Sequence, residues 1–376
     1  MSHDQLPINP NCVVDDSLGP LVARIKRWAD ELGFDAVGIA DVDLSAEEPH
    51  FERWLANGFG ADMDYMSRHG TKRSRPAELI PGTVRVISAR LSYLPEHMPA
   101  ALDQLDAPER AYVSRYALGR DYHKVLRTRL RDLGRRLETA VGEMGGRVFV
   151  DSAPVLEKAL ARNAGLGWIG KHSNLINKDQ GSWFFLGEIF TTLPLPVDTP
   201  ATNHCGTCTA CMDVCPTAAI VGPYEVDARL CISYLTIENK GAIPESLRGM
   251  MGNRIYGCDD CQLFCPWNKF AQLTQEEDFA PRHELDTADL VSLFAWSAED
   301  FDERTRGSAI RRTGYTGWRR NIAVALGNAP TTTAVIAALT SRRDDPDPMV
   351  REHVHWALNQ HQVILPTSHT GNADHD

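Results

Sequence analysis

The sequence has no run of about 20 apolar residues, the length a helix needs to cross a bilayer. Its first stretch, MSHDQLPINPNCVVDDS, has neither a basic start nor an apolar middle. A secretory leader is therefore not expected, and a cytoplasmic location, where thiols stay reduced, is. Excess positive charge is missing too. Thirty-nine Lys and Arg stand against fifty Asp and Glu, a net charge of −11, which excludes a globally basic nucleic-acid coat but not a local basic patch. The Gly-rich segment at 165–170 reads as neither a Rossmann fingerprint nor a P-loop. What remains is 376 residues, 43% hydrophobic and 24% charged, the profile of a soluble globular chain of two or three domains.

Nine cysteines are present, and eight of them fall between 205 and 265. Without a leader, a disulfide framework is not expected, which leaves metal or redox chemistry. Cys205, Cys208, Cys211 and Cys215, followed by Pro216, have the C-x2-C-x2-C-x3-C-P spacing of bacterial ferredoxins. Cys258, Cys261 and Cys265 before Pro266 repeat its ending, with Cys231 displaced upstream. In that arrangement the last cysteine of each run serves the other cluster. Cys205, Cys208, Cys211 and Cys265 would then hold one [4Fe–4S] cluster, and Cys215, Cys231, Cys258 and Cys261 the other. Two four-cysteine zinc sites are the alternative, but zinc ribbons pair two C-x2-C units, so two cubanes fit the spacing better. Adjacent cubanes make an electron relay, and a relay needs an acceptor.

Hydrophobic periodicity predicts a helix over 18–32 closed by Gly33, strands at Ala36–Ile39, Val84–Tyr93, Arg147–Val150 and Trp183–Thr191, and a helix over 123–143. Alternating elements of this kind indicate an α/β or α+β sheet domain. Arg127, Arg129, Arg131, Arg135 and Arg136 lie off the apolar stripe of the second helix; a solvated surface is the favoured reading, an anion-binding face the other. Asp151, after the strand VFV, is by default a helix N-cap and otherwise an acid/base carboxylate. The glycines at 165, 167 and 170 suit either a cofactor-adjacent loop or a structural turn.

Toward the C-terminus, RRNIAVALG (319–327) and REHVHWALN (351–359) align at a spacing of 32 residues, a HEAT-like period. Six arginines (Arg304, Arg306, Arg311, Arg312, Arg319 and Arg320) occupy 304–328 with no Asp or Glu among them and with Tyr315 and Trp318 interleaved. That pattern favours phosphate contact and base stacking on an RNA over an ordinary solvated face.

Together, SRYALGRDYHKVLR (114–127), DSAPVLEKALARNAGLGWIGKHSNLI (151–176), CGTCTACMDVCPTAAI (205–220), CISYLTIENKG (231–241) and GCDDCQLFCPWNK (257–269) resemble the epoxyqueuosine reductase family. These are cobalamin-dependent iron–sulfur enzymes of queuosine tRNA modification, related to reductive dehalogenases. The resemblance implies a multidomain fold of mixed α+β or α/β class. Its parts are a flexible tail (1–17), a sheet-containing cobalamin-binding catalytic domain (18–195), a ferredoxin-like two-cluster module (196–285), HEAT-like repeats binding tRNA (286–365) and a disordered tail (366–376). It implies reduction of the wobble-base epoxide to an alkene, with electrons relayed by two [4Fe–4S] clusters to cobalamin. Asp151 would be the general acid, kept protonated by burial beside the corrin. Cobalamin contacts would come from Arg75, Tyr116, Asp151, Ile169 and Leu175 and from the segments at Cys215 and Cys231. Arg311, Arg312, Arg319 and Arg320 would grip the tRNA, so that charge reversal at Arg319 and Arg320 weakens binding. The corrinoid motif D-x-H-x-x-G is absent, since DYHKVL (121–126) ends in Leu126, and no histidine ligand to cobalt is expected. An external low-potential electron donor is needed, and a monomer is expected. A plain electron carrier would need none of the Asp151 segment, and a small-molecule dehalogenase would carry a twin-arginine leader.

Overall fold

The computed structural model describes residues 18–142 and 145–362; the expected tails at 1–17 and 366–376 lie outside the described residues. Its centre is a four-stranded antiparallel sheet of β1 (Ala36–Asp41), β2 (Arg85–Ser92), β3 (Arg147–Phe149) and β4 (Phe184–Thr191), in the order β1-β2-β4-β3. All four expected strands are there. Side-chain alternation sends Val37, Ile39, Ile87, Ala89 and Ile189 to one face and Ala40, Val86, Leu186 and Phe190 to the other, so both faces are covered.

The first face packs against α1 (Gly19–Glu31), which Gly33 follows at φ +80°, and α2 (Tyr122–Val141). Leu126, Leu130, Leu133 and Leu137 of α2 are all buried there. The second face takes the shorter α3 (Glu157–Asn163) through Ala159, Leu160 and Ala161. Asp151 caps no helix. It sits at φ +49° in the loop between β3 and α3, a left-handed conformation unusual for a residue with a side chain.

A short hairpin, Trp168–Ile169 paired with Leu175–Ile176, joins the sheet to the cysteine-bearing segment. Ile169 and Leu175 pack toward the sheet core, while Trp168 and Ile176 pack against Cys265, Cys205 and Trp267. Gly167 is required here, because a Cβ would stand 2.3 Å from the Ile176 carbonyl oxygen.

The C-terminal end is helical: α4 (Gly314–Asn328), α5 (Thr333–Ser341) and α6 (Pro348–Gln360). Asp347 caps α6, accepting from the Met349 and Val350 N–H groups, with Pro348 at the first position. At Gly327 the α4 backbone comes so near α6 that a Cβ would meet the Ala357 Cα at 2.9 Å. One core runs from Val113 and Leu118 through Leu235 and Ile255 to Trp318, Ile322 and Leu358. The helical end, the second cysteine segment and the chain before α2 thus share one interior, across the expected boundaries at 195 and 285. No helix among the described residues is long and apolar enough to cross a membrane.

Two expected tRNA contacts are corrected by this packing. Arg320 is wholly buried, donating to the carbonyls of Leu235, Asn239 and Gly241. Arg319 is buried against Asp345 (Nη1 to Oδ2, 2.5 Å) and lies over the Tyr315 ring. Trp318 is fully buried, so it offers no base a stacking face. The missing acids are supplied from elsewhere in the chain: Asp302 pairs with Arg306 and Arg311, and Glu238 with Arg312. Arg311 and Arg312 keep about half their side-chain surface open.

Candidate active site

Helix α2 opens with Asp121-Tyr122-His123, and its first turn holds the Asp151 loop. The Tyr122 hydroxyl donates to Asp151 Oδ2 at 2.5 Å. His123 Nε2 lies 3.3 Å from the same oxygen, and its Nδ1 lies 2.8 Å from Asp121 Oδ1. Both ring nitrogens face carboxylates, the arrangement of a cationic imidazolium. Burial alone would lower the His123 pKa, but its hydrogen bonds to Asp121 and Asp151 outweigh it and hold it at about 9.

The Asp151 side chain keeps 45% of its surface open. Burial pushes its carboxyl up; the His123 and Tyr122 hydrogen bonds and the charges of His123 and Arg312 win and hold it down at about 2. The expectation is that burial beside the corrin keeps a proton on Asp151; in the protein alone the balance runs the other way. The cations beside it keep Asp151 ionised, and the proton rests on His123.

Two more acids lie behind the loop, which the sequence reading missed. Burial and then the Asp151 charge push Glu157 up to about 8, and the Asp151 backbone N–H faces the Glu157 carboxylate. Glu188, on β4 opposite Ser88 and Phe149, is fully buried with both carboxyl oxygens unpartnered. Burial, followed by Glu157 and Asp151, raises it well above the usual carboxylate range. The signal was an acid in the middle of an apolar strand, FFLGEIFT.

Around Asp151 stand Tyr116, Tyr122, Tyr65, Arg73 and Arg312. Tyr116 stacks edge-on to Tyr122 and Phe185 and packs against both large cores. The Arg75 guanidinium is instead committed to Glu48 (2.8 Å) and Glu78 (3.0 Å). Arg73, anchored on the Tyr65 and Met66 carbonyls, is the nearer cation.

The cysteines gather in two groups. Burial, then Cys265, Cys205 and Cys208, push the Cys211 thiol up to about 11. Cys261 is raised by burial and by Cys231 and Cys215, and Cys258 by burial and, more weakly, by Cys261. So the fold brings Cys265 to the first run and Cys215 to the second. Lys171, from the GWIGK segment, ties the first loop down through the Gly206 and Cys208 carbonyls, 2.8 Å each. Among the described residues no three His, Cys, Asp or Glu side chains converge on a single-ion site.

Residues 204–268 match the model of a 4Fe-4S double cluster binding domain, and residues 73–152 match that of epoxyqueuosine reductase QueG, DUF1730. An epoxyqueuosine reductase of Pseudomonas aeruginosa is 60% identical over 353 residues, covering 92% of this chain and 97% of the relative. One from Escherichia coli is 57% identical over 343 residues, covering 91% and 90%. The chain belongs to the epoxyqueuosine reductase family. Among solved structures, an epoxyqueuosine reductase with an epoxyqueuosine-modified tRNA-Tyr stem loop is similar at TM-score 0.81 and 29% identity, covering 91% of this chain and 90% of that one. The Bacillus subtilis reductase, described with an aspartate-bearing catalytic loop swung out of its active site, is similar at 0.80 and 30% identity, over 91% and 90%. The segment that matches the double-cluster model carries all eight grouped cysteines, which supports iron–sulfur clusters as the cofactor class.

Proposed function

We propose that this enzyme reduces the epoxide of epoxyqueuosine at the tRNA wobble position to the alkene of queuosine, with two [4Fe–4S] clusters and cobalamin. The observation that carries the reading is Asp151, which accepts from the Tyr122 hydroxyl and lies 3.3 Å from His123 Nε2, in a fold that also gathers eight cysteines into two groups. The relative crystallised with a modified stem loop supports the substrate class. The relative described with an aspartate-bearing catalytic loop swung out of its active site supports a functional aspartate on a loop. The open Arg311 and Arg312, the latter near Asp151, are the remaining RNA contacts at the helical end, whose HEAT-like character stays part of the proposal.

The residues present fit a corrinoid. His172 Nδ1 accepts the Asn174 N–H at 3.1 Å, so its Nε2 carries the proton; that donor and Trp168 Nε1 are buried without partners. Ser88, Arg90 and Glu188 have unpartnered buried polar atoms as well. Buried polar groups are seldom left so, and an amide-rich macrocycle offers partners. Tyr116, Asp151, Ile169, Leu175 and the chain at Cys215 and Cys231 would hold it. Reduced cobalamin supplies the low-potential electrons that breaking a C–O bond demands.

Conversion of an epoxide to an alkene consumes two electrons and two protons and releases water. Oxygen leaves readily only when protonated. Asp151 Oδ2 delivers the first proton to the epoxide oxygen, drawing it from His123 Nε2, 3.3 Å away, and the second, which releases water, follows the same path after solvent reprotonates His123. Tyr122 fixes the carboxylate, and Glu157 holds the loop through the Asp151 N–H. The deciding assay is anaerobic: epoxyqueuosine-bearing tRNA, reconstituted enzyme and a chemical reductant, with queuosine formation as the positive result.

Two predictions follow from the proton and ligand inventories. Turnover is flat near neutrality and falls as pH rises through about 9, where His123 loses its proton; a rate that rises through that range contradicts the assignment. Cys211→Ser and Cys265→Ser, though 54 residues apart (265 − 211), abolish the same cluster signal in EPR spectra, and Cys215→Ser abolishes the other. Loss of both signals together in one of these variants, with the fold intact, refutes the crossed ligand sets.

A further inference from the structure

Helix α2 carries five arginines off its apolar stripe, and they divide sharply. Arg129 meets Glu276, Arg135 meets Asp132 and Arg136 meets Glu31. Arg127 and Arg131 meet no carboxylate among the described residues. They follow His123 at steps of four, which on a helix places all three along one side, about 6 Å apart at a 1.5 Å rise per residue. That is comparable to the separation of successive phosphates along an unstacked strand.

Opposite them stands Arg147, the first residue of β3, an edge strand paired only with β4. Its guanidinium lies 5.4 Å from the Phe149 ring centroid and pairs with no acid among the described residues. Arg127, Arg131 and Arg147 line a groove of about 570 Å³ whose other walls are Leu79, the backbone of β3 and Ser152-Ala153-Pro154, the chain just after Asp151. Arg127 Nη2 reaches Ser152 Oγ at 3.3 Å. In a chain of net charge −11, three cations that meet no carboxylate among the described residues and line one concavity suit an anion.

We propose that this groove binds a phosphodiester of the substrate RNA next to the nucleotide presented to Asp151. The inference rests on the tRNA reading above and relocates part of the RNA grip from the helical end to the sheet edge. Arg127 and Arg131 form a cationic track that leads outward from the His123–Asp151 pair. A phosphate held there touches the segment that carries Asp151, so RNA binding also steadies the acid. A corrinoid nucleotide tail offers the same phosphodiester chemistry, and the test separates the two sources.

The test is a salt series. Anaerobically reconstituted enzyme is titrated with an unmodified anticodon stem-loop RNA and, separately, with cobalamin. Arg131→Glu with Arg147→Glu raises the RNA Kd at least tenfold and lowers the salt slope by about 1.5, as expected for two lost contacts to a single strand. Arg131→Gln with Arg147→Gln gives a smaller change in the same direction, and Arg343→Glu on the far helical end gives none. Cobalamin affinity stays at the wild-type level. RNA binding equal to wild type in correctly folded groove variants overturns the proposal, as does loss of cobalamin with RNA affinity intact. A wild-type enzyme that binds no RNA refutes the tRNA reading itself, a separate result.

Discussion

Asp151→Asn should lower single-turnover rates on epoxyqueuosine-bearing RNA by about 10²- to 10⁴-fold, the usual contribution of a positioned general acid. The amide has the same shape and can still accept from Tyr122, so iron content and cobalamin affinity should match wild type. What it cannot do is pass a proton. Removing the charge also strips His123 of one of its two carboxylate partners, so the imidazole pKa should drop from about 9 toward its ordinary value near 6.5. Asp121 stays in place and keeps part of the elevation. NMR titration of the ring therefore gives a second readout, which a merely structural role for Asp151 would not move. The stability linkage has a fixed sign as well. The raised His123 contributes stability fully below about pH 6.5 and loses it as pH rises through about 9. The depressed Asp151 contributes above about pH 3.8 and loses it as pH falls through about 2. Turnover within threefold of wild type, with an unmoved His123 titration, would remove Asp151 from the chemistry.

Local pattern was a good guide wherever the physics is local. Strand alternation located all four strands of the sheet, Gly33 marked the end of α1, and Asp347-Pro348 marked the start of α6. Cysteine spacing anticipated the crossed grouping that brings Cys265 to Cys211, because the ferredoxin turn is itself a local device. Charge was different. The acid-free run from 304 to 328 looked like a free cationic surface, yet Asp302, Glu238 and Asp345 reach it from outside. Periodicity reports which face of a helix a residue occupies and says nothing about what lies across from it. The same limit applies to α2, where periodicity could not tell Arg129, Arg135 and Arg136, which meet carboxylates, from Arg127 and Arg131, which meet none among the described residues. The protonation of the site was equally hidden. Tyr122 and His123 were visible in DYH, but only the fold shows that they meet Asp151, 28 residues downstream of His123 (151 − 123). Arg75 differs from Arg73 by a single two-residue step, and that step turns its guanidinium toward Glu48 and Glu78.

Arg320→Met should destabilise the enzyme by about 3 kcal/mol, and it tests the corrected reading of the helical end. The guanidinium is buried without a carboxylate partner, and desolvation brings its pKa down to about 10. It is held by the carbonyls of Leu235, Asn239 and Gly241 and by Asn321 Oδ1. Methionine fills similar volume but leaves those oxygens unsatisfied, at about 1–3 kcal/mol for each buried acceptor. Part of that loss is offset because a charge no longer has to be desolvated. An exposed control, Arg311→Ala, should stay within about 0.5 kcal/mol of wild type. The lesion should not remain in the helical end. Leu235 lies in the helix Ile232–Ile237, for which Cys231 is the N-cap, and Asn321 tethers α4 to Thr236 and Ile255 from the adjoining core. Loosening Arg320 therefore frees the segment that presents Cys231, and the cluster bound by Cys215, Cys231, Cys258 and Cys261 should be lost at lower urea than the other. EPR spectra recorded along an anaerobic urea titration would resolve the order of loss. If Arg320→Met instead unfolds at the wild-type midpoint, keeps both clusters and loses only RNA affinity, then Arg320 faces the nucleic acid, and the buried placement that ties the helical end to the cluster module is wrong.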